Sequence, residues 1–259
     1  VAAASGVRLG DDDAAAQVLE PSLQDLAVGK GQRKRIEFRV ANSQEIPVQC
    51  TLAVHDISAG LYGRATPDSN AERGCAGWLT IEEADFVLPP QEGRTIRAEL
   101  KVPREAAGGY YAMVRALFRA TDESMAALDL ETSEGARRQL FPTMGSSSLL
   151  LLDVRSRENT SNVVTDSLVI SSGRVGRDMI QDQGRRDDAW AIDLIMRNDG
   201  NVHTRVRGGV SVWRANGQLV GRSGLSAGRG YVLTGARRAL RARGDRPLGD
   251  GIYVGRFDI

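Results

Sequence analysis

The sequence predicts an all-β protein built from two tandem immunoglobulin-like β-sandwich domains, and three observations carry that prediction. Apolar residues recur with period two in short runs, the runs are bounded by Gly, Pro, Asn and Asp, and the strand-and-turn pattern restarts after a polar stretch near residue 159. The block from Gly77 to Phe118 states the pattern most fully. Gly77-Trp78-Leu79-Thr80-Ile81 opens a strand and Leu88-Pro-Pro-Gln-Glu-Gly93 makes a turn. Ile96, Ala98, Leu100 and Val102 then alternate with charged residues until Pro103, which lacks an N–H and stops the ladder. Gly108-Gly-Tyr-Tyr111 starts the next strand.

Residues 1–17 are small, acidic and aperiodic, a flexible lead-in. The first domain is expected over 18–158. Leu19, Leu23 and Leu26 surround Pro21, and Gly29-Lys-Gly31 is a turn. Ile36, Phe38 and Val40 form a half-buried strand, and Val48 to Val54 returns with the same period. Ser58 to Gly77 reads as a long connection without an element of its own. Ser148-Leu-Leu-Leu-Leu-Asp-Val154 is apolar at successive positions, as in a strand buried on both faces. Thr121 to Ser147 is a long insertion loop, the segment expected to carry binding.

The second domain is expected over 159–259. Leu168 and Ile170 begin it, and Trp190, Ile192 and Leu194 alternate toward the Arg197-Asn-Asp-Gly-Asn201 turn. Val206, Val210 and Val212 precede the Asn216-Gly217 hairpin signal, and Gly251-Ile-Tyr-Val254 belongs to the last strand.

With 34 basic and 33 acidic residues the net charge is +1, which supplies no electrostatic case for a nucleic-acid partner. No apolar run reaches the length of a membrane span. Val1-Ala-Ala-Ala-Ser5 suits either the remnant of a signal-peptide cleavage site or an arbitrary boundary. Two cysteines, Cys50 and Cys75, are the whole thiol inventory. They are either a disulfide closing a loop of about 25 residues, worth roughly 3 kcal/mol, or two unrelated thiols. With only His55 and His203 besides, no zinc site of the usual composition is expected, and no cofactor or other metal.

No catalytic constellation appears. Neither histidine has a serine or cysteine nucleophile context. Asp11-Asp-Asp13 and Asp187-Asp188 lack the alternating spacing of a calcium loop and read as solvated charge. Arg33-Lys-Arg35 reads as a solvated strand start, and Arg243-Gly-Asp245 as a chance match to an integrin-type tripeptide. Trp78, Trp190 and Trp213 suit core positions better than a sugar-stacking platform. Gly221-Arg-Ser-Gly224 and Gly228-Arg-Gly230 are turns, not phosphate loops.

On Leu88-Pro-Pro-Gln-Glu-Gly93, Val102-Pro103 and Gly108-Gly-Tyr110, the chain resembles the WxL-interacting surface proteins of Gram-positive bacteria. More broadly it resembles bacterial Ig-like domains related in plan to pilus-chaperone sandwiches. Arg197 to Thr204 and Pro247 to Tyr253 look like that family's second Ig-like domain. The resemblance implies a non-enzymatic exported protein, extracellular, on the cell surface or periplasmic, that binds another surface protein or a cell-wall polymer. A periplasmic pilus-chaperone-like protein acting by strand donation is one alternative. An accessory module of a secreted enzyme is another.

Overall fold

The computed structural model describes residues 17–122, 124, 143–172, 190–226, 228–244 and 248–259. The chain divides into two compact units. The first comprises the described residues up to Ile57 together with Pro67–Arg157, and the second comprises Ser58–Thr66 and Glu158–Ile259. Both are all-β, and together they form the two tandem immunoglobulin-like sandwiches expected.

The strands of the first sandwich, of which the end of β4 and most of β5 fall in the Ser58–Thr66 segment counted with the second unit, are β1 (Gln17–Glu20), β2 (Leu23–Val28), β3 (Arg33–Asn42), β4 (Val48–Ala59), β5 (Ala65–Pro67), β6 (Leu79–Ile81), β7 (Asp85–Leu88), β8 (Gly93–Lys101), β9 (Gly108–Ala120) and β10 (Met144–Val154). One sheet runs β1-β3-β8-β6, the other β2-β10-β9-β4-β5 with β7 also paired to β4. The first strand therefore switches sheets. Up to Glu20 it pairs with β3, and after Pro21, which cannot donate to a ladder, it continues as β2 parallel to β10. Phe38, Val40, Ala98, Leu100, Val114, Phe118, Leu150 and Leu152 fill the space between the sheets. The alternation expected for β3 and β8 is present, since Glu37, Arg39, Arg97 and Lys101 stay exposed. One expectation is corrected. Ser58 to Gly77 is not featureless, because it contains β5 and a 3₁₀ turn at Ala76–Trp78, where the Ala76 N–H donates to Asp56 Oδ1 at 2.6 Å.

In the second unit the strands are β11 (Val163–Ser172), β12 (Trp190–Asn198), β13 (Thr204–Arg205), β14 (Gly209–Arg214), β15 (Leu219–Gly224), β16 (Tyr231–Val232), β17 (Arg237–Gly244) and β18 (Tyr253–Asp258). One sheet runs β11-β12-β17 and faces another of order β15-β14-β18, with β13-β16 as a small third pair. Trp190, Ile192, Val210, Val212 and Ala242 form one end of the core, and Leu194, Met196, Val206, Val232 and Leu240 the other. β12 is buried on its second face too, where Asp193 meets Arg241 of β17 at 2.5 Å. Beside them, Leu61 O accepts from the Ala239 N–H and the Tyr62 ring lies 5.3 Å from the Arg241 guanidinium carbon.

An asparagine ends the equivalent strand in each sandwich. Asn42 Nδ2 donates to Ile46 O at 2.9 Å and to Pro89 O at 3.0 Å, while its Oδ1 accepts from the Gln44 N–H. Asn198 repeats this with Val202 O at 2.8 Å, Val232 O at 2.9 Å and the Gly200 N–H. In both, the backbone N–H of the asparagine bonds into the turn before the third strand of its sheet, at Glu92 O and Ala236 O. On this evidence β3 corresponds to β12, β8 to β17, β4 to β14 and β9 to β18.

Candidate functional site

The long insertion loop on which binding was expected lies largely outside the described residues. Its described ends are structural: Ser124 Oγ donates to Pro47 O at 3.0 Å, and Met144 to Ser147 form the start of β10. Asp11-Asp-Asp13 and Asp187-Asp188 lie outside the described residues as well.

The disulfide is not formed; Cys50 and Cys75 are free and buried. The register explains why. Cys50 sits opposite Phe118 near one end of β9, and the Cys75 N–H bonds to Tyr111 O near the other. Seven residues at ~3.3 Å each put roughly 20 Å between them, against the ~7 Å that a disulfide spans. Burial, with Asp85 second, pushes the Cys50 thiol up to about 12. Burial and then Asp56 push the Cys75 thiol higher still.

The remaining sequence candidates are dispersed. Trp190 is buried under β17, where a Cβ on Gly244 would fall 1.9 Å from its indole nitrogen. Arg243 and Gly244 are therefore paired strand residues, opposite Ala191 and Trp190, rather than a displayed loop tip. Trp78 packs against Tyr110 with ring centroids 4.4 Å apart and the planes tilted by 48°, and Arg73 lies over the same tyrosine. His55 is in β4, and His203 packs on Tyr231 with centroids 5.7 Å apart. Arg33 and Arg35 are exposed on β3 beside β8. Among the described residues, no three His, Cys, Asp or Glu side chains converge to hold a metal ion.

What stands out instead is a set of exposed aliphatic side chains on sheet edges of the second sandwich. β11 is an edge strand, and its consecutive residues Leu168, Val169 and Ile170 are 45%, 50% and 60% exposed. β18 is the edge of the facing sheet, with Ile252 at 77% just before it and Val254 at 55% within it. From the sequence, Leu168 and Ile170 were expected only to begin the second strand set. The signal that distinguishes this strand is the third aliphatic between them, Val169, which leaves neither face polar.

β10 is a further edge of different character. β2 covers it only from Leu149 to Val154, so Met144 to Ser148 pairs on one side alone among the described residues. This half carries Met, Gly and three serines. Ser146 Oγ accepts from the Leu19 N–H at 3.0 Å, and Ser148 Oγ donates to Pro21 O. The hydroxyls thus pin the point where the first strand changes sheets.

No protein-family model matches the chain, and no curated protein matches it. Among solved structures the chain is similar to the YadV chaperone, with 9% identity over 94% of this chain and 99% of that one, at a TM-score of 0.47. It is also similar to the class 5 fimbriae chaperone CfaA, with 14% identity over 94% and 99% and a TM-score of 0.42. A third is the Salmonella enterica SafA pilin–SafB chaperone complex, with 10% identity over 94% and 97% and a TM-score of 0.42. No helix among the described residues is long and apolar enough to cross a membrane.

Proposed function

We propose that this protein is a non-enzymatic binding module that takes an extended segment of a partner polypeptide onto an exposed sheet edge of its second sandwich. The observation that supports this is the coincidence of two edge strands, β11 and β18, with exposed aliphatic residues on each. An edge strand offers unpaired N–H and C=O groups, and apolar residues on it are a liability unless something pairs with them. Strand addition satisfies both, with the backbone supplying affinity and alternate side chains supplying specificity. An exported location, on the surface or in the envelope, is part of the proposal and follows the sequence resemblance to WxL-interacting proteins.

Photo-crosslinking tests it. A photoreactive residue at Val169 or Val254, activated in envelope fractions, is expected to give protease-sensitive adducts, and the same residue at exposed Glu45 is not. Protease-resistant adducts would assign the site to a wall polymer and overturn the proposal.

One observation favours a second reading, the strand-donating chaperone. The half-paired Met144 to Ser148 edge of β10 is open to a subunit strand. The proteins of similar fold named above are chaperones, one of them in complex with a pilin. Crosslinks to an assembling subunit from Met144, with none from Val169 or Val254, would select this reading.

A further inference from the structure

The sheet β15-β14-β18 has an outer face as well as edges, and that face carries an arrangement of its own. Val210 and Val212 of β14 are core residues, so Ser211 and Trp213 point the other way. Two glycines fix the faces of the flanking strands. A Cβ on Gly221 would meet Trp190 at 3.9 Å, and one on Gly255 would meet Val210 at 3.8 Å. Both glycines therefore face the core, and their neighbours Arg222, Val254 and Arg256 face away from it. The register shift at Val212/Trp213 turns Val220 inward as well, against the core, and leaves Leu219 on the outer side. Trp213, expected in the core, belongs to neither core cluster of this sandwich and is half-buried on its surface.

Two rows result. In one, Trp213 lies between Leu219 and Val254, which are 40% and 55% exposed. In the next, about 7 Å along β14, Ser211 lies between the exposed Arg222 and Arg256. Neither arginine enters an ion pair among the described residues. The cations on the outer face of β3 and β8 do: Arg33 and Lys101 meet Glu99, and Arg97 meets Glu37. Between Arg222 and Arg256 stands a serine in place of such a glutamate. The third row is Gly224, Gly209 and Asp258, so this face sets one carboxylate against two guanidiniums. Strands roughly 10 Å apart let two arginines converge over the serine, and each can fork onto a carboxylate.

We infer that this face binds an acidic peptide segment, with a large apolar side chain seated on Trp213 and a carboxylate two residues away held by Arg222, Ser211 and Arg256. The ~7 Å between rows equals two residues of extended chain, which sets that spacing. The flanks of Trp213 favour a peptide over an acidic sugar. A sugar ring stacked on an indole needs polar groups around its rim, whereas Leu219 and Val254 widen an apolar seat. The inference rests on the partner-binding role proposed above and adds the partner's chemistry.

The probe is a fluorescently labelled Gly-Ser-Phe-Ser-Glu-Ser-Gly peptide mixed with the whole 259-residue chain. Saturable one-to-one binding is expected. It should weaken about tenfold when the peptide's Glu becomes Gln, and also when Glu is moved next to Phe, which turns the carboxylate to the opposite side of the chain. Arg222→Gln with Arg256→Gln should weaken the Glu peptide about tenfold and leave the Gln peptide unchanged, a difference that lost folding would not produce. Trp213→Ala should weaken both peptides about tenfold, and Trp213→Phe should restore most of the binding. Circular dichroism checks that each variant folds. Three results would each overturn the inference: no saturable binding, a preference for Glu that survives the double arginine variant, or an oligogalacturonate that binds through Trp213 and both arginines where the peptide does not. The last would assign the face to an acidic glycan. If the peptide fails while crosslinks at Val169 still capture a polypeptide, the face is wrong and the binding role stands. If both fail, both fall.

Discussion

Replacing Asn198 by alanine removes three hydrogen bonds from a side chain with no exposure. Val202 O and Val232 O lose donors at 2.8 and 2.9 Å, and the Gly200 N–H loses its acceptor at 2.9 Å. The bonds to Val232 O and from the Gly200 N–H are buried, so water reaches those two groups only if the corner opens. At about 1 kcal/mol net per bond, and more where a group stays unsatisfied, the cost is roughly 3–4 kcal/mol. That is a large part of the ~5–15 kcal/mol that holds an ordinary domain together. Asn198→Asp sharpens the test. The two side chains have the same shape, but the introduced second oxygen faces two carbonyl oxygens and carries buried charge. At neutral pH this variant should be less stable than the alanine variant. Its carboxyl is held above the ordinary ~3.9, because only the protonated form can donate to a carbonyl. The penalty is therefore small below that value and grows as pH rises through the folded-state pKa. Urea titrations followed by tryptophan fluorescence, in a Trp78→Phe background so that only Trp190 and Trp213 report, measure both. A cost under about 1 kcal/mol for Asn198→Ala, or an Asn198→Asp variant as stable as the parent at pH 7, would refute the corner's role.

Neither thiol should react with Ellman's reagent in the native protein at pH 8, since burial holds both far above that pH, Cys50 at about 12. Denaturant should release both, and a native protein two hydrogens lighter after air oxidation would contradict the register of β9. The Asp193–Arg241 pair, with side chains only 9% and 12% exposed, should cost about 3–5 kcal/mol when Asp193→Ala strands the guanidinium. Replacing both partners at once by leucine and methionine should cost far less, and thermal unfolding of the single and double variants separates the two outcomes.

Strands whose burial is decided by their own alternation were legible. Ile36-Phe38-Val40 and Ile96-Ala98-Leu100 became β3 and β8 with the expected faces inward. Features decided by distant partners were not. The sheet switch at Pro21 depends on β10, more than 120 residues away. The disulfide looked feasible by loop length, but feasibility turns on the length of β9, which separates the two thiols. The asparagine corner did leave a trace: Asn42-Ser-Gln-Glu-Ile46 and Asn198-Asp-Gly-Asn-Val202 share an asparagine followed four residues later by a β-branched aliphatic. Two positions are too few to stand out without the geometry. Leu168 and Ile170 were read only as the start of a strand set; that they pair with buried Leu194 and Ile192 and yet stay about half exposed is visible only in the register.

The contrast among the edges narrows where a partner belongs. The open half of β10 has the composition of a protected edge, with one exposed methionine, a glycine and three serines, two of whose hydroxyls are engaged in the same sandwich. β11 is protected at its start, where the register shifts between Thr165 and Ser167 and Asp166 pairs with Arg237. That protection ends at Ser167. From there on, three aliphatics follow in succession, and the edge strand β18 adds Val254 with Gly255 beside it. A chain that guards one edge with serine and another with a bulge and an ion pair has means to guard the rest. Exposed aliphatics also lie singly on β7, at Val87, and on β15, at Leu219, but among the described strands β11 carries three in succession, and such a run is what an edge that accepts a strand presents.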